Sequence, residues 1–208
     1  MREILPRVYS CEFSSPKTYE ASAYFILSER GNILVEVPEF VPRMLTELEF
    51  FGGVRYIFLT HRDDIGDACK FKKHFDARII MHESERDHVE CDVDISFEDD
   101  FQFDQEVTLI HTPGHSPGTS CLLLNVEGGI LFCGDHLLGN DHGLVRPVRF
   151  EWTWNWERQL ESSRKLLTYP FEIVIPAHAS LKKGYINNGK KALKEWLDQQ
   201  SPGGDRAK

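Results

Sequence analysis

The sequence lacks the features of a membrane, secreted or multidomain protein. No apolar run approaches the roughly 18 residues that a membrane-spanning helix needs, and the first residues, Met1–Pro6, lack the apolar centre of a secretion signal. It also contains no internal repeat and no low-complexity linker. We therefore expect one cytoplasmic domain over residues 1–200, followed by a flexible C-terminal tail at 201–208.

Cysteine is scarce and its spacing is uninformative. The 5 cysteines are odd in number, and no two of them form a Cys-x-x-Cys pair. Such a pattern argues against a disulfide framework and favours a reducing compartment. We expect most of these side chains to be small buried apolar groups.

Positive charge is also in deficit. The chain carries 24 lysines and arginines against 33 aspartates and glutamates, a net charge of −9. An acidic surface repels phosphate backbones. We therefore expect a small-molecule substrate and neither nucleic acid nor a membrane as a partner, and we leave a homo-oligomer open.

The hydrophobic pattern divides the chain into two similar halves, each with strands, then a helix, then a strand. Turn residues such as Arg30–Gly31–Asn32 and Glu127–Gly128–Gly129 predict hairpins between neighbouring strands. This order predicts an α/β fold in which two mixed β-sheets pack face to face and helices cover both outer faces, an αββα sandwich.

Histidine and aspartate recur where predicted strands end. The residues in question are His61, His115, Asp135 and His178. Strand ends at one edge of a sandwich can converge on a single point. Imidazole nitrogens and carboxylate oxygens together suit zinc, iron or manganese, so the pattern indicates a metal site.

Three segments carry a resemblance to a known family. Thr112–Gly118, Gly134–Asp135 and Pro176–His178 resemble motifs of the metallo-β-lactamase superfamily in order and spacing. The resemblance covers nearly the whole chain, and within the superfamily the sequence looks most like the small glyoxalase II-like hydrolases. It implies an αββα sandwich whose site lies at one edge of the two sheets.

The first metal motif departs from the family pattern His-x-His-x-Asp-His. This chain reads His61-Arg62-Asp63-Asp64-Ile65-Gly66. Asp63 replaces the second histidine, while Ile65 and Gly66 replace the aspartate and histidine that serve a second metal.

By resemblance, one divalent metal ion would be held by His61, Asp63 and His115, with Asp135 nearby. A second ion is the lesser expectation, because it would keep only Asp135 and His178. Asp64 or Asp67 could fill that gap. Alternatively, Asp63 and Asp64 cap the following helix and Asp67 occupies its first turn.

Zinc is the first expectation for the metal, although a carboxylate in place of an imidazole shifts preference toward iron or manganese. We expect a hydrolase of a small ester, thioester or lactone that uses a metal-activated water. In it, Asp64 or Asp67 would be the general base, and Asp135 would bind the metal or orient the water.

Two alternatives stay open. One is an iron-dependent redox or gas-handling protein, motivated by Asp63; the other is a catalytically degenerate metal-binding module, motivated by Ile65 and Gly66. The alternating Trp152, Trp154 and Trp156 either line the mouth of the site or pack in the core.

Overall fold

The computed structural model describes residues 1–200, so the tail predicted at 201–208 lies outside the described residues. Its 14 strands and 4 α-helices follow in chain order. The strands are β1 (Arg2–Leu5), β2 (Val8–Ser10), β3 (Tyr24–Ile26), β4 (Ile33–Val35), β5 (Tyr56–Phe58), β6 (Arg78–His82), β7 (Ile95–Phe97), β8 (Phe101–Gln102), β9 (Val107–His111), β10 (Ser120–Leu124), β11 (Ile130–Gly134), β12 (Leu138–Gly139), β13 (Val145–Arg146) and β14 (Ile173–Pro176). The helices are α1 (Pro42–Phe50), α2 (Ala68–Phe75), α3 (Trp156–Leu166) and α4 (Gly189–Gln199), and short 3-10 helices span Pro16–Thr18 and Glu83–His88.

Two mixed sheets form the frame, as the sequence predicts. The first has seven strands in the order β1 to β7, antiparallel up to β4 and parallel from β4 onward. The second has five strands in the order β14-β11-β10-β9-β8. Its β11–β14 pair is parallel, so the carboxyl ends of these two strands lie side by side.

Strand alternation sorts the apolar side chains into three layers. Along β5 and β6, Phe58 and Ile80 face the space between the sheets, whereas Ile57 and Ile79 pack with α1 and α2 on the outer face of the first sheet. The second sheet does the same: Phe132 faces inward, and its neighbours pack against α3 and α4. Period-two alternation in strands buried on both faces produces this arrangement, and the αββα sandwich is confirmed.

No helix within residues 1–200 combines the length and apolar character needed to cross a bilayer.

One expectation about cysteine is wrong. Cys69, in α2, and Cys91, before β7, form a disulfide, with Cα atoms 5.8 Å apart. This bond was not predictable from the sequence because the two residues are 22 positions apart and belong to no recognisable motif. Cys11, Cys121 and Cys133 are free and buried, as expected. The disulfide removes the cysteine argument for a reducing compartment, and the cytoplasmic location stays a prediction.

We expect the Cys69→Ser/Cys91→Ser double variant to lose about 3 kcal/mol in free energy of unfolding, because a cross-link across a loop of this length restricts the unfolded chain by about that amount. Denaturant unfolding under non-reducing conditions measures the difference. Reductant should lower the stability of the wild type to that of the variant and leave the variant unchanged. Equal stability of the two proteins without reductant would contradict the expectation.

Candidate metal centre

The predicted residues meet where strands of both sheets end. His61 follows β5, and Asp135 directly follows β11. A backbone bond from Ser120 N to the carbonyl of Thr60 (2.9 Å) joins the two sheets at this edge. Ala177 N donates to the carbonyl of Gly134 (3.1 Å), which brings the chain after β14 beside Asp135. The topology therefore converges on one point, as the strand-end pattern predicts.

His61 is fully buried, and its neighbour Thr60 fixes its ring. The Thr60 hydroxyl lies 2.9 Å from His61 Nδ1 and also bonds to Glu36 Oε1. When that hydroxyl donates to the carboxylate, its oxygen accepts a hydrogen bond from His61 Nδ1–H. His61 Nε2, which has no hydrogen-bond partner, is then left with a free lone pair, the state that a metal ligand requires.

His115 lies in a tight loop that other residues hold in place. Arg62 pairs with the buried Glu85, and Glu85 Oε1 accepts from the Ser116 hydroxyl at 2.8 Å. Thus the residue between His61 and Asp63 braces the loop that carries His115. Gly114 has a positive φ of 153°, and a Cβ there would lie 2.3 Å from the Cα of Gln159. Only glycine allows the start of α3 to pack this closely behind His115.

The ligand atoms around His61 are spaced for a shared ion. His61 Nε2 is 3.7 Å from Asp135 Oδ2 and 3.8 Å from Asp63 Oδ2. His115 Nε2 is 3.8 Å from Asp135 Oδ2 and 3.1 Å from Asp63 Oδ2. Two ligands that each bond a divalent metal at about 2.0–2.2 Å are separated by less than about 4.4 Å. Donor atoms of His61, His115 and Asp135 therefore form a candidate metal-binding group, with Asp63 on its more exposed side.

A second candidate metal-binding group contains Asp64. Asp64, Asp135 and His178 place donor atoms within 4.8 Å of one another. The Asp64 side chain is fully buried, and neither of its oxygens has a hydrogen-bond partner. This environment excludes the helix-capping alternative for Asp64, because a cap would accept a backbone N–H.

No lysine or arginine of residues 1–200 balances the carboxylate charges of this cluster. Within the part of the chain that the structure describes, no lysine or arginine forms an ion pair with Glu36, Asp64 or Asp135. Burial raises the pKa of Asp64 to about 9, with the Glu36 charge adding to it. Burial also raises the pKa of Glu36 to about 8. Buried carboxylates without a partner are costly, and a divalent cation fits both their charge and their free lone pairs.

His178 stands beside Asp135 as its own counter-ion. Its Nδ1 lies 2.6 Å from Asp135 Oδ1 and its Nε2 lies 3.2 Å from the carbonyl of Tyr19. The bond to Asp135 raises the pKa of His178 to about 9. Burial alone would raise the pKa of Asp135, but the bond to His178 and the nearby histidines keep it below its usual value. A cation that bound His178 would release this proton.

The structure does not bring Asp67 to the cluster. It precedes α2, and its carboxylate lies 2.7 Å from Lys17 Nζ and 3.1 Å from Lys70 Nζ. These lysines, acting against burial, lower the pKa of Asp67. His136 is buried in another direction, bonded to the Ser163 hydroxyl at 3.1 Å, and burial lowers its pKa to about 3. It belongs to none of the candidate groups within residues 1–200.

Aromatic side chains flank the exposed side of the centre. Trp154 N donates to the carbonyl of His115 at 2.9 Å. Phe150 meets the ring of His115 edge-on, with centroids 6.0 Å apart, and stacks on Trp152 at 5.0 Å. Trp152 and Trp154 are 66% and 54% exposed. Of the two interpretations left open, this exposure excludes core packing for these two tryptophans.

Sequence reasoning missed Glu36. It directly follows β4, is only 1% exposed and contributes to a third candidate group with His61 and Asp64. The available signal was an acidic residue inside the apolar stretch Ile33–Val37.

Comparison with known proteins agrees with this architecture. The sequence model of the metallo-beta-lactamase superfamily matches residues 19–178. Because this match covers most of the chain, the protein belongs to that superfamily.

Individual relatives are distant. The chain is similar to a probable metallo-hydrolase, YybB, of Bacillus subtilis (strain 168), with 25% identity over 72% of this chain and 77% of the relative. The fold is also similar to ST1585 of Sulfolobus tokodaii, an archaeal metallo-beta-lactamase superfamily protein (TM-score 0.68, 19% identity, 97% and 89% coverage). A further similar structure is TTHA1623 in a di-iron-bound form (TM-score 0.70, 20% identity, 88% and 96% coverage).

Proposed function

We propose that the chain is a metal-dependent hydrolase of a small ester, thioester or lactone, of the glyoxalase II-like kind. The observation that supports this most is the buried set of unpartnered donor atoms on His61 and Asp64, next to Asp135 and at a solvent-facing edge. Membership of a superfamily that includes metallo-hydrolases and similarity to a probable metallo-hydrolase support it further.

The residues have separate roles in this proposal. His61, His115 and Asp135, with Asp63 beside them, would hold a divalent ion, zinc in the first place. The ion would supply an activated water and polarise the substrate carbonyl. Asp64 has both oxygens free, so one can bind a second cation while the other accepts a proton from the attacking water. Asp67, paired with two lysines, is the weaker candidate for that base.

The exposed aromatic rings indicate where the substrate binds. Asp63 is the most exposed of the proposed ligands at 40%. The exposed Trp152 stacks on Phe150, whose ring contacts His115, and the exposed Trp154 bonds to the His115 carbonyl through its backbone N–H. They offer flat apolar surfaces to the part of the substrate that does not react, as aromatic side chains commonly do in ligand pockets.

We expect His115→Ala to lower the turnover of a panel of ester, thioester and lactone substrates at least about 100-fold, because losing even a hydrogen-bonding partner of a ligand costs about 10–100-fold. Steady-state assays on zinc-loaded protein measure this. His74→Ala is a matched control, since His74 lies in α2 and pairs with Glu49 instead. Bound metal without hydrolysis of any substrate in the panel would overturn the proposal and favour a binding module.

A second candidate is iron-dependent redox or gas-handling chemistry. Carboxylates outnumber imidazoles in the cluster, which favours iron or manganese: the members are Glu36, Asp63, Asp64 and Asp135 against His61, His115 and His178. A structural neighbour binds two irons. An absorption band of the iron-loaded protein that responds to dioxygen or nitric oxide would support this candidate, and its absence would exclude it.

A further inference from the structure

Glu36 is a buried acid that the proposed hydrolysis does not use. It directly follows β4 with a φ of 56°, a conformation that is uncommon for a residue other than glycine. Its Oε1 accepts both the backbone N–H and the hydroxyl of Thr60. The other oxygen, Oε2, is buried and has no partner.

A purely structural role explains only one of the two oxygens of the Glu36 carboxylate. Supporting Thr60 requires one acceptor oxygen, which an amide would supply at much lower desolvation cost than an acid. The second oxygen points to a ligand, because a buried polar atom without a partner is rare in folded proteins.

The surroundings of Glu36 specify what that ligand is. Donor atoms of Glu36, His61 and Asp64 lie within 4.8 Å of one another. Asp64 is also a member of the group with Asp135 and His178. Two buried carboxylates side by side, with no lysine or arginine paired to either in residues 1–200, make a site for a cation.

We propose that Glu36 is a ligand of the second, deeper metal ion, together with Asp64, in place of the ligands that the substituted motif has lost at Ile65 and Gly66. Carboxylate ligands suit Mn²⁺ and Fe²⁺, whereas imidazole ligands suit Zn²⁺. This site therefore discriminates less strongly against Mn²⁺ and Fe²⁺ than the group of His61, His115 and Asp135 does. The inference rests on the metal centre proposed above and does not require that the centre hydrolyse esters.

Counting bound Mn²⁺ tests the inference without using activity. Metal-free wild-type chain, Glu36→Gln and the control Asp67→Asn are titrated with Mn²⁺, and free Mn²⁺ is followed by electron paramagnetic resonance. Glutamine keeps an acceptor oxygen for Thr60 while removing the charge. Asp67 lies three residues after Asp64, and its carboxylate pairs with Lys17 outside the cluster. We expect two ions for the wild type and the control.

For Glu36→Gln we expect one tightly held ion and an affinity for the second at least about 100-fold weaker, a loss beyond the upper range for removing only a partner of a ligand. In competition with Zn²⁺, the wild-type protein should lose one Mn²⁺ at low Zn²⁺ concentration and retain the other until the Zn²⁺ concentration is higher. That retention should disappear in the variant.

Two ions bound to Glu36→Gln with unchanged affinity, or a single Mn²⁺ on the wild type, would overturn the inference and leave Glu36 as a support for Thr60. If the variant does not fold, anomalous diffraction from Mn²⁺-loaded wild-type crystals decides: a manganese bonded to Glu36 Oε2 supports the inference, and one that is not contradicts it. If the variant loses one Mn²⁺ and the wild type hydrolyses no substrate, the metal site proposed here is supported and only the hydrolase function is contradicted.

Discussion

We expect the metal-free protein to lose thermal stability as the pH rises from 7 to 9. The folded state holds Glu36 and Asp64 in surroundings where burial raises their pKa values to about 8 and about 9, whereas in the unfolded chain both are ionised above about pH 5. His178 keeps its proton up to about pH 9 through its bond to Asp135. The folded state therefore binds more protons than the unfolded state in this window, so its stability falls with increasing pH.

The size of the effect follows from the number of protons. Each proton held only by the folded state changes the free energy of unfolding by about 1.4 kcal/mol per pH unit. In a chain of this length, 1 kcal/mol corresponds to about 2–4 °C in the unfolding midpoint. We expect a fall of at least about 3 °C per pH unit between pH 7 and 9. The lowered pKa values of the buried His61 and His136 act in the opposite sense and only below about pH 6.5.

Thermal unfolding at several pH values, with chelator and with saturating Zn²⁺ or Mn²⁺, measures this dependence. A bound metal requires deprotonated ligands, so its stabilisation grows as the pH rises and should reverse or flatten the slope. Parallel profiles with and without metal would contradict the assignment of these groups to a metal centre.

The fold was largely predictable from the sequence because its central strands are buried on both faces. β10 and β11 are apolar along almost their whole length and buried at every position, and short apolar segments bounded by turn residues indicate such strands. The edge elements are different. β1 and β8 are short and at least partly exposed. They depend on pairing with a neighbouring strand, so no local hydrophobic pattern predicts them.

The candidate site was predictable only in part, for a comparable reason. His61, His115, Asp135 and His178 occur at strand ends within segments that resemble family motifs. For Asp64, the sequence does not distinguish a metal ligand from a helix cap, because a carboxylate that follows a strand and precedes a helix can serve as either. Its complete burial and its two unpartnered oxygens, which depend on tertiary packing, distinguish the alternatives.

Asp64→Asn is expected to separate stability from function. In the metal-free protein at pH 8, the substitution removes a carboxyl group that is costly to ionise in its buried position. We therefore expect the unfolding midpoint to rise by several degrees, on the scale of about 2–4 °C per kcal/mol. The same change removes a ligand and the proposed proton acceptor, so hydrolysis should fall at least about 100-fold, as estimated for the loss of a ligand.

Asp63→Asn is the matched control, because Asp63 is the adjacent acid in the same motif but lies 40% exposed and bonded to His115. That bond, against a smaller effect of burial, lowers the pKa of Asp63, so the charge contributes stability above about pH 4 and its removal should lower the midpoint of the metal-free protein. The two adjacent substitutions are thus expected to shift stability in opposite directions while both weaken metal binding. If Asp64→Asn lowered the midpoint as Asp63→Asn does, the Asp64 carboxylate would have a partner in the folded protein and would not be available to a metal ion.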